Sequence, residues 1–170
     1  DESESRGLGD VYKRQVLNES GFELNMGPDG ALLMGGRLDS ENGRGMGVGD
    51  WTCAIPDHWL FAGTGMKKGD SIKNLLGWEW HGAPAMSLPG MQVVAEGDAT
   101  INRKKVGHYT ATLYDGPKGN VVFNAATIWW ANGLSSPPGH KNPSRHGVAQ
   151  QGPDEWVQQI THNLFKRMIS

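Results

Sequence analysis

Glycine occupies 25 of the 170 positions in this chain, roughly twice the ~7% share usual in globular proteins. It follows no collagen-like period and comes with no Ser/Gln repeats. Such a chain folds through many loops and positions with special backbone angles. Seven tryptophans accompany it, against three tyrosines and four phenylalanines. Rigid indoles set between such loops either fill a core or line a surface that grips a ligand. The length suits one domain with a sizeable core.

Charge and cysteine usage exclude several classes of function. A formal net charge of −2 offers no clustered cations for a nucleic-acid groove or a polybasic membrane surface. No apolar run approaches the ~20 residues of a bilayer span. The N-terminal DESESRG has neither the basic start nor the apolar stretch of a signal peptide. The single cysteine, Cys53, leaves no internal disulfide framework and no zinc knuckle. The expectation is a soluble, cytoplasmic protein with no nucleic-acid or membrane partner.

Residues 1–15 read as foreign. Asp10 to Gln15, DVYKRQ, is the translation of GAT-GTG-TAT-AAG-AGA-CAG, which resembles the transposon-end adapter of sequencing libraries read through as protein. The expectation is a non-native tail that packs against nothing, with residues 16–170 as the C-terminal part of a longer chain.

Past the tail, Pro28-Asp29-Gly30 is a turn before a short strand at Ala31 to Met34, and Asp39 to Asp50 reads as a glycine-rich surface loop. Pro56 and Asp57 open a turn or helix that buries Trp59, Leu60 and Phe61. GTGMKKG lacks the glycine spacing of a phosphate loop. Met91 to Glu96 is a strand candidate. His108 to Tyr114 alternates and is rich in Thr and Tyr, turn chemistry follows at 114–120, and Asn120 to Thr127 reads as a second strand, so residues 108–127 form a β-hairpin. Trp129 and Trp130 continue that second strand. Residues 132–143 are a loop. The last segment is a helix: Pro153 suits its first turn, Asp154 and Glu155 its positive end, and Lys166 and Arg167 its negative end. Val157, Ile160, Leu164 and Met168 form its apolar stripe.

The sequence LLGWEWHG at 75–82 carries the best candidate chemistry. Alternation puts Glu79 and His81 on one face and Trp78 and Trp80 on the other. A carboxylate flanked by indoles loses solvation, which moves its pKa toward the working range of a general acid or base. The plainer reading is a structural glutamate bonded to a loop backbone. His58 is a weaker candidate for a substrate or metal, in a turn context that suits capping; of Trp129 and Trp130, on the strand that carries Asn124, one faces the core and the other could line a pocket. Cys53 has no histidine partner or nucleophile-elbow glycines around it, and Trp51 beside it suggests burial. The six histidines are dispersed, with no HxH or HExxH.

DWTCAIPDHWLFAGTGMKKGDSIKNLLGWEWHG (50–82), GHYTATLYDGPKGNVVFNAATIWWANGLSSPPG (107–139) and the closing GPDEWVQQITHNLFKRMIS resemble the C-terminal domain of the large subunit of N,N-dimethylformamidase, in that order. The resemblance implies an α/β domain, related to class I glutamine amidotransferases and hence Rossmann-like and three-layered, with a mixed sheet and a terminal helix. It also implies hydrolysis of the C–N bond of small formamides, to formate and an amine, at a mononuclear iron held by two tyrosines and a glutamate. The partners it implies are a small amide substrate, a small subunit and further copies of the large one. Iron belongs to the parent enzyme, with its ligands outside this chain. Tyr109 and Tyr114 lie five apart on one strand, on opposite faces, and cannot serve as a ligand pair. This chain would supply the pocket wall, with Glu79 and His81 for acid–base work and His58, Asn124 and Trp129 around them. The alternative is a non-catalytic module whose glycine loops and tryptophans grip a ligand or a partner subunit.

Overall fold

A computed structural model of the chain describes residues 46–84 and 88–169. The adapter-like tail and the strand expected at Ala31 to Met34 lie outside these residues. Five strands, β1 (Met46–Thr52), β2 (Ser71–Glu79), β3 (Gln92–Ile101), β4 (Lys104–Asp115) and β5 (Val121–Asn124), form one sheet in the order β2-β1-β3-β4-β5. Two short strands, β6 (Ser144–Arg145) and β7 (Val148–Ala149), make a separate ribbon, and the helix α1 (Glu155–Ile169) closes the chain. Helix and sheet share one core, in keeping with an α/β composition. The pairing departs from the expected mixed sheet, because every ladder between described strands is antiparallel. The β3–β4 and β4–β5 turns are too short to hold the crossover helix that parallel neighbours need, and the longer β1–β2 connection, residues 53–70, contains the 3-10 turn Trp59–Phe61 and no α-helix.

Local chemistry explains the hairpins. Asn102 and Arg103 both take positive φ, at 48° and 63°, between paired Ile101 and Lys104, as a two-residue turn of matching twist requires. The β4–β5 hairpin falls where the sequence predicts it, with Asp115 opposite Val121. β5 ends at Asn124, because Ala126 turns left-handed at φ 60° and Asn124 Oδ1 accepts its N–H at 2.9 Å. Trp129 and Trp130 therefore lie beyond the strand, at the start of a 3-10 turn over Trp130–Gly133, and do not extend it.

Residues 46–50, expected in a loop, belong to β1. Their glycines serve close packing. A Cβ at Gly49 would come 2.6 Å from the Asp98 carbonyl oxygen, and one at Gly47 3.0 Å from the Trp80 indole nitrogen. Register shifts in β1 and twice in β3 bend the sheet until its two edges meet. Trp80, just past β2, bridges Thr127, just past β5. Thr127 Oγ1 accepts from Gly77 N at 3.2 Å and Trp129 N at 3.1 Å and donates to the Leu75 carbonyl at 2.8 Å. Tyr109 of β4 lies across Gly97. Its hydroxyl donates to the Asp50 carbonyl at 2.9 Å and accepts from Thr52 N at 2.6 Å, which satisfies the backbone freed by the β1 bulge.

The interior of the curl holds Trp51, Trp80, Leu75, Val94, Tyr109 and Ala111. Asp154 caps α1 through Oδ1, at 2.9 Å from Trp156 N and 3.3 Å from Val157 N. Val157, Ile160 and Leu164 are buried as the stripe predicts, but Met168 is 53% exposed because the helix runs past the core there. Asn163 takes an inward place instead. Its Nδ2 donates to the carbonyls of Leu60 and Ala62 at 2.9 and 2.8 Å and ties α1 to the 3-10 turn Trp59–Phe61.

A candidate site at the closing seam of the sheet

The seam where β2 runs on past its ladder gathers three of the residues singled out in the sequence. Trp80 turns inward and is 2% exposed. Glu79 faces solvent opposite Met46, and His81, half-buried, follows on the same side of the strand. Glu79 is thus not enclosed as the indoles beside it suggested. His81 wedges between β4 and the chain leaving β5: its N–H donates to the Ala126 carbonyl at 3.2 Å, and its carbonyl accepts from Thr110 N at 3.0 Å. Thr110 Oγ1 donates to the next carbonyl, Gly82, at 2.6 Å. The imidazole Nδ1 lies 2.9 Å from Asn124 Oδ1, so the fold unites two candidates 43 residues apart. Asn124 Nδ2 is buried with no partner among the described residues.

The other two candidates do not join the His81–Asn124 pair. Trp129 is buried with its ring on Gly77, so it fills the core where a pocket wall was expected. His58 caps the 3-10 turn by accepting Leu60 N on Nδ1 at 3.3 Å, and burial holds its pKa below the usual imidazole range, partly countered by Asp115. Cys53 is buried, which pushes its thiol up to about 11. That is the opposite of the depression a nucleophile requires.

Two features escaped the sequence reading. His108 stands opposite Asp98 on β3, with Nδ1 3.3 Å from Asp98 and Nε2 3.3 Å from Glu96. Lys105 reaches the same Asp98 at 2.6 Å, and its ammonium, with His108, holds that carboxyl below the ordinary range. The alternation of Glu96 and Asp98 was the available signal, but only register puts His108 between them. A polar cleft of about 390 Å³ lies against the β1 bulge, lined by Asp50, Thr52, Asn74, Asp98 and Thr100 among others. Asp50 is bound there by Lys73 Nζ at 2.6 Å and Asn74 N at 3.0 Å.

The described residues do not fit a mononuclear iron. The Tyr109 hydroxyl is sealed in the core with both hydrogen-bonding roles taken, and burial raises its pKa further above the phenol range. Tyr114 projects from the other face of β4. No three of His, Cys, Asp and Glu are arranged to hold a metal ion among the described residues. None of their helices is long and apolar enough to cross a membrane.

No curated protein and no solved structure matches the chain. A family model does, over residues 26–145, a span that takes in the five-stranded sheet, its closing seam, and both His81 and Asn124. The chain belongs to the family described as N,N-dimethylformamidase beta subunit-like, C-terminal.

Proposed function

We propose that this chain is the C-terminal part of the large subunit of a dimethylformamidase-like amidohydrolase, which hydrolyses the C–N bond of small formamides to formate and an amine. The family match over residues 26–145 carries this reading. The seam adds chemical support. A half-buried imidazole is held by a carboxamide, and beside it lies a buried amide donor without a partner, suited to a substrate carbonyl or a water. Glu79 lies on the same side of the strand and is open to whatever docks there.

In this reading His81 and Glu79 handle protons at the edge of a pocket completed by chain outside the described residues. That outside part would also hold the iron. The family description, "beta subunit-like", supports assembly into a multi-subunit enzyme; in this reading the partners are a small subunit and further large ones, in the cytoplasm.

The test is formate release from N,N-dimethylformamide by the full-length enzyme assembled with its small subunit. Glu79→Gln and His81→Gln should each lower turnover about 10²–10⁴-fold if the residue transfers a proton, with the fold retained. Wild-type enzyme that releases no formate from any small formamide overturns the reading. Turnover within a few-fold of wild type in both variants leaves the domain as an assembly module.

A further inference from the structure

The contacts of Asn124 determine which nitrogen of His81 can work. Asn124 Oδ1 lies 2.9 Å from Ala126 N and 2.9 Å from His81 Nδ1. A backbone N–H only donates, so the carboxamide atom facing it is the oxygen. The reversed carboxamide would set an NH2 group against that N–H. His81 Nδ1 faces the same oxygen, and it makes a hydrogen bond only if it carries a hydrogen. A neutral imidazole has one N–H, so its lone pair is then on Nε2.

The surroundings leave the ring little freedom to escape this arrangement. The His81 main chain is held on both sides, by Ala126 and by Thr110. Asn124 is fixed in the β5 ladder opposite Thr112, and its oxygen is committed to the left-handed turn at Ala126. Nε2 has no hydrogen-bond partner among the described residues.

We propose that Asn124 is a positioning residue that holds neutral His81 in its Nδ1–H tautomer and so makes Nε2 the proton acceptor of the site. This rests on the amidohydrolase reading and deepens it. In the step assigned to Nε2, an O–H bond of water breaks as the water oxygen bonds to the formyl carbon. The proton passes to Nε2 and then to the amine nitrogen as the C–N bond breaks. No electrons are exchanged; the products are the amine and formic acid, whose remaining O–H proton leaves to solvent to give formate.

The primary test needs only this chain and no substrate. Long-range ¹H–¹⁵N correlation spectra, recorded where His81 is neutral, report which ring nitrogen carries the hydrogen. The expected result is Nδ1–H in the wild type and in Asn124→Asp, which keeps an acceptor at that place. In Asn124→Ala the Nε2–H form, which free histidine favours, should dominate. An Nε2–H tautomer in the wild type overturns the inference and leaves the hydrolase reading standing. In the full-length enzyme, Asn124→Ala should lower kcat by about 10-fold or more with KM little changed, and Asn124→Asp should recover much of that loss. An unchanged kcat in Asn124→Ala would also overturn the role. Absence of formamide hydrolysis in the wild type would instead count against the functional reading, with the tautomer measurement unaffected.

Discussion

Gly77→Ala puts one methyl group into the closest packing of the sheet. A Cβ there would sit 2.6 Å from Trp129 Cη2 and nearer still to two other atoms of that ring. Ordinary contact begins near 3.4 Å, so the overlap approaches 1 Å. Neither side can yield. Gly77 is paired with Val48 in the β1–β2 ladder and donates to Thr127 Oγ1. Trp129 is 3% exposed and its own N–H is bound to the same hydroxyl. Overpacking a core by a methyl costs about 1–3 kcal/mol, and the entropy lost from the unfolded chain on Gly→Ala returns roughly 0.4–1 kcal/mol. The net loss is about 1–2 kcal/mol, or a fall in Tm of roughly 2–8 °C for a domain of this size. Urea unfolding followed by far-UV circular dichroism should show a lower midpoint with an unchanged slope. The same substitution in a Trp129→Leu background should be close to neutral, because the smaller side chain removes the obstacle. An equal loss in both backgrounds, or none in the first, would refute the indole-on-glycine account.

Three further outcomes follow from the same contacts. Tyr109→Phe strands the Asp50 carbonyl and the Thr52 N–H at the β1 bulge and should cost about 1–3 kcal/mol in urea unfolding; a neutral result would mean that water satisfies them. Asn163→Leu removes both side-chain bonds between α1 and the Leu60–Ala62 turn and should cost about 2 kcal/mol, with faster amide exchange in that turn as the specific sign. Cys53 has its thiol pushed from 9.0 up to about 11 by burial, so between those values the unfolded chain gives up a proton that the folded chain keeps. Stability should therefore fall as pH rises from 9 to 11, and Cys53→Ala should flatten that part of the profile.

Local signals were legible wherever neighbours in sequence are neighbours in space. The α1 helix shows in its 3,4,4 apolar spacing, its Asp154 cap and its charged ends. The β4–β5 hairpin shows in the alternation of HYTATLY and the turn chemistry after it. The alternation of Glu79 and Trp80 held as well. Where the reading went astray, the missing information was distance along the chain. Glycines 47 and 49 suggest a loop because nothing local reveals that Trp80 and Asp98 press on them. The hairpin between β3 and β4 was hidden because its turn is Asn-Arg, without the glycine that advertises such turns.

The candidate site divides along the same line. WEWH names Glu79 and His81 from sequence, since indoles around a carboxylate and an imidazole are unusual chemistry. Asn124 entered through the family resemblance, and only the structure shows that it ends β5. Their meeting depends on bulges that curl the sheet until its edges join at Trp80 and Thr127. The tautomer of His81 follows from Asn124 Oδ1, whose other bond is to Ala126. The amino-acid sequence by itself determined which groups are available: a family, a helix, a hairpin, an imidazole and a carboxamide. Only the tertiary structure decided which of them touch, because hydrogen bonds reach about 3 Å while these residues are separated by dozens of positions along the chain.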